Sequence, residues 1–580
     1  MIGLIAVTAA GRAAAARLTA SWPGETRAYD GPAAGALPQA WTECDGIVCF
    51  LAAGAVIRLI APLLAGKRAD PAVICVDEAA RFAVSLIGGH VGGANALAVR
   101  AALALGAEPV ITTASDATGL PGLDDLGWPA EGAVAAVTRA LLDGGLVTLD
   151  SDETWPLPAL PADRAGESSA GRGPDGVSSA GPSAGGAGTG EPVGYRILVT
   201  DRIVPDDPRT AVLRPPSLVV GVGASKNVSD AEVLGLIDAA LAEAGLSPLS
   251  VTALATVDAK AAEPGLVAAA RQRGWPLLTY PAARLAAVPA PNPSRAALAA
   301  VGTPSVAEAA ALASADVLAV QKRKSPMATV AIGQVRPRGR LAVVGLGPGA
   351  RDLLAPRAVA ELRRASVVVG LGQYVSQIRD LLRPGTDVLT SELGAEEERA
   401  KAAVTRAREG HAVALVGSGD AGVYAMASPA LLQAGGDIEV VVVPGITASL
   451  AAGALLGAPL GHDHAVISLS DLHTPWEVIE SRVRAAAEGD YVTVFYNPRS
   501  RGRHWQLGAA LAVLAAYRPP GTPAAIVRNA SRPGQRVLLT TVAEFDLEAA
   551  DMLSLVIVGA STTQAVAGRM VTPRGYAWQP

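Results

Sequence analysis

The 580-residue chain has little cysteine: Cys44, Cys49 and Cys75 only. Three scattered thiols give neither a disulfide framework nor a metal-ligand spacing, so no metal site is expected and they read as small core residues. Lysine is scarce too, with 6 Lys against 42 Arg, and no run of bases is longer than Lys322-Arg323-Lys324. With a net charge of −5, the chain lacks the clustered positive charge that a nucleic-acid surface needs. Met1 to Ala16 has no basic n-region, so Ile2 to Val7 reads as a first strand rather than a secretory leader. Val440 to Gly461 carries no charge, but Pro444-Gly445 divides it into a short strand and a helix, which argues against a membrane span. A cytoplasmic protein is expected.

Half of the residues are hydrophobic, and apolar runs alternate with Ala-rich helical patterns. That alternation predicts a multidomain α/β fold with largely parallel strands. A first region spans residues 1–213. It is interrupted at 162–192 by a Gly/Ser/Ala/Pro-rich insertion, expected to be disordered because it has too little apolar surface to bury. Strand-like Leu146 to Leu149 and Tyr195 to Val199 flank the interruption, which therefore reads as an insertion within one domain. A second region covers 218–330, a polar linker 331–340, and a third region 341–580, long enough for two sub-domains with a cleft between them.

Two segments of the third region stand out. Gly417-Ser418-Gly419-Asp420-Ala421-Gly422-Val423-Tyr424 and Pro444-Gly445-Ile446-Thr447-Ala448 each follow a β-branched apolar run and precede a helix. Glycine permits close backbone approach, while Ser, Thr and Asp offer hydrogen bonds, and ligands of α/β proteins sit at the carboxyl ends of strands. Val344-Gly345-Leu346-Gly347-Pro348-Gly349 fits a loose dinucleotide pattern. Pro348 removes an N–H, however, and the next strand ends in Gly370-Leu371 instead of an acid, so a nicotinamide site is not expected. The turn at Gly347 is expected to let substrate approach.

Together these blocks resemble the tetrapyrrole methyltransferases, and within them the precorrin-3B C-17 methyltransferases of cobalamin biosynthesis. Gly461-His462-Asp463, Ser468 to Leu472, Thr474-Pro475-Trp476, Tyr496-Asn497-Pro498-Arg499-Ser500 and Val571 to Tyr576 extend the match across Leu341 to Tyr576. The resemblance implies a class III methyltransferase fold: two α/β sub-domains with S-adenosylmethionine between them, and a homodimer formed through this region. It implies cofactor contacts at Pro348, Ser418, Gly419, Asp420, Val423, Thr447, Ala448, Asn497 and Ala530. Methyl transfer to a ring carbon needs chiefly positioning and water exclusion. The accompanying ring contraction needs proton movement, for which His462 and Asp463 are the preferred pair among His462, Asp463, His464, Asp471 and His473 near the cleft.

In the first half, Gly88-Gly89-His90-Val91-Gly92-Gly93-Ala94-Asn95 joins a strand to a helix expected from Ala96 with its cap near Asn95, and Thr112 to Asp116 ends another strand. With Ile60 to Leu64, Thr256 to Lys260, Glu263 to Leu266 and Asn292-Pro293-Ser294, these blocks resemble cobalt-precorrin-5A hydrolase. That family opens a ring lactone and releases acetaldehyde, which needs an activated water and a base. The resemblance implies His90 and Asp116 as the acid–base pair. Gly88, Gly89, Gly92, Gly93 and Asn95 would lie around the substrate, and Lys226, Lys260 and Lys322 would hold its carboxylates. Gly221 to Lys226 lacks the Cys and the extra base expected in that family. A corrinoid-binding module without catalysis, or methylation at another ring carbon, remain the alternatives.

Overall fold

Continuous apolar runs become central strands wherever both faces of a sheet are covered. The computed structural model describes residues 1–66, 69–89, 92–113, 120, 122–164, 194–500 and 502–575. Its first sheet contains Ile2–Ala6 (β1), Thr26–Tyr29 (β2), Gly46–Phe50 (β3), Ala72–Val76 (β4), Phe82–Ile87 (β5) and Glu108–Val110 (β6), in the order β2-β1-β3-β4-β5-β6. Only the β4–β5 pair is antiparallel. β3 and β4 are buried at every position, and Cys49 stands opposite Cys75 between them. Burial pushes the Cys49 thiol up to about 12, so it packs as a protonated, inert hydrophobe.

The second sheet has Ala130–Gly132 (β7), Val147–Ser151 (β8), Asp163–Arg164 (β9), Tyr195–Val199 (β10) and Thr210–Leu213 (β11), ordered β7-β11-β10-β8-β9. β8 and β10 pair directly in parallel, so the strands on either side of the interruption share a sheet. Most of the insertion lies outside the described residues, and its opening residues Asp163–Arg164 pair with Thr148 and Leu149. The third sheet, Leu218–Ala224 (β12), Val251–Val257 (β13), Leu277–Tyr280 (β14), Val317–Lys324 (β15) and Ala328–Gln334 (β16), runs β14-β13-β12-β16-β15. Here β16 is antiparallel to both neighbours, a departure from the parallel arrangement expected. The helix Asp230–Glu243 covers one face, opened by Ser229, whose hydroxyl accepts the Glu232 N–H.

These three sheets make up one compact unit, Met1–Glu153 with Leu160–Pro337; the other comprises Thr154–Ala159 with Arg338–Pro580. In the second unit, Arg340–Gly345 (β17), Val367–Leu371 (β18), Asp387–Ser391 (β19), Ala412–Gly417 (β20) and Glu439–Val443 (β21) form a fully parallel sheet ordered β19-β18-β20-β17-β21. Gly457–Ala458 (β22) pairs with a short terminal strand described below. A mixed sheet then contains His464–Ser468 (β23), Val492–Tyr496 (β24), Pro523–Arg528 (β25), Arg536–Thr541 (β26) and Ser554–Val558 (β27), ordered β23-β24-β27-β25-β26. Gln564–Val566 (β28) and Arg569–Val571 (β29) complete the small sheet β22-β29-β28. No helix among the described residues is long and apolar enough to cross a membrane.

The polar connection is shorter than expected. Residues 331–334 belong to β16 and Arg340 opens β17, which leaves 335–339 between them. Arg340 can be buried because its guanidinium forms two hydrogen bonds with the Glu361 carboxylate and a third, at 3.0 Å, with Glu439. Glu361 is itself nearly buried, whereas Glu439 is more than half exposed. Removing one partner of a buried pair strands the other charge. Glu361→Ala is therefore expected to destabilise the second unit by about 3–5 kcal/mol in urea unfolding, and Glu439→Ala by about 1 kcal/mol or less; equal losses would contradict this assignment.

Candidate active site

Three loops leave the carboxyl ends of the adjacent strands β20, β17 and β21, and they meet backbone to backbone. Gly347 and Gly419 exchange two hydrogen bonds, N–H to carbonyl at 3.0 Å and 2.7 Å. A Cβ on Gly445 would lie 2.1 Å from the Gly419 carbonyl oxygen, and one on Gly345 would lie 2.7 Å from it. Only glycine fits these positions. Asp420 locks the junction: its Oδ1 accepts the Gly422 N–H at 2.8 Å and its Oδ2 accepts the Gly445 N–H at 3.0 Å. Asp420 thus ties the second loop to the third, and the Gly347 backbone groups pair with those of Gly419.

The second sheet of this unit reaches into the junction through residues that sequence reasoning passed over. The Tyr496 hydroxyl, at the end of β24, accepts the Ser449 N–H at 2.8 Å and lies 2.5 Å from the Thr447 hydroxyl. It thereby satisfies an amide at the start of the helix Ala448–Leu456, where Thr447 makes no cap bond of its own. Arg532 donates to the Pro348 carbonyl and to the Ser418 hydroxyl, both at 2.5 Å. Ala448 and Ala530 pack on one core with Leu456, Val494 and Ile557. Tyr424, Asn497, Asn529 and Ser531 hold positive φ near 50–60° in the segments making these contacts, strain of the kind that persists where surroundings over-determine the backbone. Tyr496 opens the Tyr496-Asn497-Pro498-Arg499-Ser500 segment and Arg532 lies two residues past Ala530; an aromatic hydroxyl and an arginine near these positions were the available signals.

A cavity of about 760 Å³ opens here, bordered by Ser418, Tyr424, Met426, Ser468 and Asn497 among others. The Asn497 side-chain amide donates to the Ser468 hydroxyl at 3.1 Å. A neighbouring recess of about 470 Å³ is lined by Val423, Thr447 and His464. Tyr424 spans the two: its hydroxyl donates to the Val466 carbonyl at 3.0 Å, and burial raises its pKa. His473 borders the larger cavity, while Asp471 accepts a hydrogen bond from Gln506.

His462 and Asp463 do not border this cleft. They line a separate pocket of about 310 Å³ with Asp490, Thr572 and Arg574, and both are solvent-exposed, at 49% and 78%. The reason is local: they lie at the start of β23, the strand end opposite to Ser468, which faces the cavity.

In the first unit, His90 and Asp116 fall outside the described residues. What frames them is visible. Gly88 and Gly92 approach so closely that a Cβ on Gly92 would stand 2.8 Å from the Gly88 backbone. The helix begins at Ala94 with Gly93 as its N-cap, two residues earlier than expected. Asn95 is therefore inside the first turn, where its side chain accepts from the Ser85 hydroxyl at 2.8 Å and donates to the Thr113 hydroxyl at 3.1 Å. Lys226 is exposed, but Lys260 forms an ion pair with Glu263 at 3.0 Å and Lys322 donates to the Asn292 carbonyl. Two of the three lysines expected to hold carboxylates are thus engaged within the fold. Among the described residues, no group of acidic, histidine and cysteine side chains could hold a metal.

The glycine junction can be tested by adding one methyl group. Gly445→Ala is expected to destabilise the second unit by at least about 2 kcal/mol in thermal or urea unfolding. Gly436→Ala, with nothing within 4 Å of the new Cβ, is expected to be neutral. A neutral Gly445→Ala would show that the loops do not depend on this contact.

Comparison with known proteins matches residues 340–546 to the tetrapyrrole (corrin/porphyrin) methylases, residues 218–333 to the cobalamin synthesis G C-terminus and residues 35–116 to the cobalamin synthesis G N-terminal family. A probable cobalt-factor III C(17)-methyltransferase of Salmonella typhimurium is 46% identical over 239 residues, covering 41% of this chain and 99% of that protein. A precorrin-3B C(17)-methyltransferase of Sinorhizobium sp is 40% identical over 253 residues, covering 41% of this chain and 98% of that protein. The crystal structure of the methyltransferase CobJ is 40% identical with a TM-score of 0.39, covering 40% of this chain and 100% of that one. The chain therefore belongs to the tetrapyrrole methylases, whose methyl donor is S-adenosylmethionine, and carries the cobalamin synthesis G N-terminal and C-terminal domains ahead of its methylase part.

Proposed function

We propose that the second unit methylates precorrin-3B, or its cobalt-containing counterpart cobalt-factor III, at C-17 during cobalamin biosynthesis, with contraction of the ring. The observation carrying this reading is the match to two C(17)-methyltransferases over nearly their whole lengths. The residues present suit the cofactor. Three glycine-lined loops create a cradle that side chains would fill, the Ser418 and Thr447 hydroxyls edge it, and Val423 with Met426 gives it apolar surface.

When bound, S-adenosylmethionine supplies a methyl group activated by the sulfonium charge. The chain's own contribution is positional. Pro348, Ser418, Gly419, Val423, Thr447 and Ala448 hold the donor from the first sheet, and Asn497 with Ala530 closes the site from the second. Asp420 acts through the loops it clamps. Such fixed placement supplies the orientation that methyl transfer needs, and apolar walls keep water from competing for the methyl. For proton movement in the contraction step, His473 and Tyr424 border the cavity and take the place assigned to His462 and Asp463 from sequence. Homodimerisation through this unit, in the cytoplasm, belongs to the same reading.

For the first unit we propose hydrolysis of the cobalt-precorrin-5A lactone with acetaldehyde release, using His90 and Asp116, with Asn95 organising the glycine loop. The Ser85–Asn95–Thr113 hydrogen bonds favour it, because they tie β5, the first turn of the following helix and Thr113 together. The engaged Lys260 and Lys322 favour the second reading, a module that holds a corrinoid without catalysis.

One set of assays tests both units. With 13C-methyl S-adenosylmethionine and either substrate, NMR is expected to place the label at C-17; label at another carbon would overturn the assignment. With cobalt-precorrin-5A, acetaldehyde release is expected from the unaltered protein and loss of at least about a hundredfold from His90→Ala and Asp116→Ala. Undiminished release by both variants, or none from the unaltered protein, would leave the binding module as the correct reading.

A further inference from the structure

The charges around the 760 Å³ cavity are unevenly matched. Among the described residues that border it, Arg399, Arg482 and Arg503 face a single carboxylate, Glu396. Arg399 is only 3% exposed, yet all its hydrogen bonds go to neutral acceptors: the Ser391 hydroxyl at 2.8 Å, the Glu392 carbonyl at 2.8 Å and the Met426 sulfur at 3.5 Å. Arg503 is similar, with the Asn497 carbonyl at 3.1 Å, the Ser470 hydroxyl at 3.4 Å and the Met552 sulfur at 3.6 Å. Asp471 acts on Arg503 through space, but its Oδ2 accepts from Gln506 and no ion pair forms among the described residues. Burial of the Arg503 guanidinium lowers its pKa, and Asp471 only partly offsets this. Arg482, on the helix Trp476–Glu488, is exposed and likewise makes no ion pair there.

A desolvated cation without a counter-charge is costly. Elsewhere in this unit the fold does supply one: buried Arg340 has Glu361 and buried Arg518 has Asp490. At the cavity it does not. Guanidinium groups bind carboxylates in a two-pronged geometry that neutral acceptors leave unused. Arg399 comes from the first sheet's helix Glu396–Arg408, whereas Arg482 and Arg503 belong to the second sheet's half, so the cations border the cavity from both sides.

We propose that Arg399, Arg482 and Arg503 form a carboxylate grip that binds the peripheral acetate and propionate groups of a tetrapyrrole and thereby sets which ring edge meets the methyl donor. This rests on the methylase reading above and adds the residues that recognise its substrate class. Arg399 is the fixed anchor, Arg503 the partly buried second contact, and exposed Arg482 steers the anionic ring in.

The test uses the full chain and a binding readout that does not require turnover. The probes are uroporphyrin III, which has eight carboxylates, and its octamethyl ester, titrated by fluorescence. The unaltered protein is expected to bind the acid and not the ester. Arg503→Gln and Arg482→Gln should each weaken that binding about tenfold or more, with Arg503→Lys intermediate because a point charge survives without the fork. S-adenosylhomocysteine affinity, measured by calorimetry, should stay unchanged in Arg482→Gln, because Arg482 makes no hydrogen bond to a cofactor-contact residue among the described residues. Equal affinity for acid and ester, undiminished binding by both Gln variants, or parallel loss of S-adenosylhomocysteine binding in Arg482→Gln would overturn the grip. If 13C labelling appeared at a carbon other than C-17 while carboxylate binding still depended on these arginines, the grip would stand and the C-17 assignment would fall.

Discussion

The second unit depends on the contact among Gly345, Gly419 and Gly445. Parallel strands β20, β17 and β21 bring their carboxyl ends side by side, so three chain reversals compete for one small volume. A side chain at Gly345 or Gly445 would drive the loops apart, because the nearest atoms are backbone and cannot swing away, whereas Gly419 is favoured by its left-handed φ of +68°. Once the loops touch, their polar groups pair with one another: Gly347 with Gly419, and Asp420 with Gly422 and Gly445. The hydroxyls of Ser418 and Thr447 are left at the edge. A pre-organised cradle results without a dedicated binding side chain, and pre-organisation is what positional catalysis demands.

Everything that closes the cleft is fastened to that cradle. Tyr496 connects β24 to the helix start at Thr447 and Ser449, while Arg532 connects the β25–β26 turn to Pro348 and Ser418. Tyr424 and Tyr496 also pack ring against ring, with centroids 5.3 Å apart. These links explain why left-handed backbone at Tyr424, Asn497, Asn529 and Ser531 is tolerated. Each lies in a segment whose side chains or neighbours are already committed across the cleft. Charge is distributed differently: buried Arg340 and Arg518 have carboxylate partners, whereas Arg399 and Arg503 at the cavity have neutral ones.

Much of the architecture was legible in the chain because it follows from period and punctuation. Strands Ile2–Ala6, Ala412–Gly417 and Glu439–Val443 and the Pro444-Gly445 break appear where apolar runs and glycines put them. Antiparallel β16 and β27 were not legible, since a buried apolar strand reads alike in either direction. The site was legible as loops but less so as roles. Asp420 reads as a ligand group in a glycine-rich loop, yet a carboxylate there is equally suited to gathering free backbone N–H groups, and it does. His462 and Asp463 stand close to Ser468 in sequence, but five strand residues place them at the far end of β23. Lys260 precedes Glu263 by three residues, the spacing at which opposite charges meet, and that pairing was visible in principle. Arg399 and Arg503 carried no local signal, because nothing in the chain marks an arginine whose partners are all neutral.

The most direct test of the central claim is a crystal structure of the full chain with S-adenosylhomocysteine. The account predicts the ligand against the backbone of residues 345–349, 418–424 and 445–448, with the Gly347–Gly419 and Asp420–Gly445 hydrogen bonds kept. A ligand bound away from these loops, or a junction that opens to admit it, would contradict the claim that the three glycines build the cradle in advance.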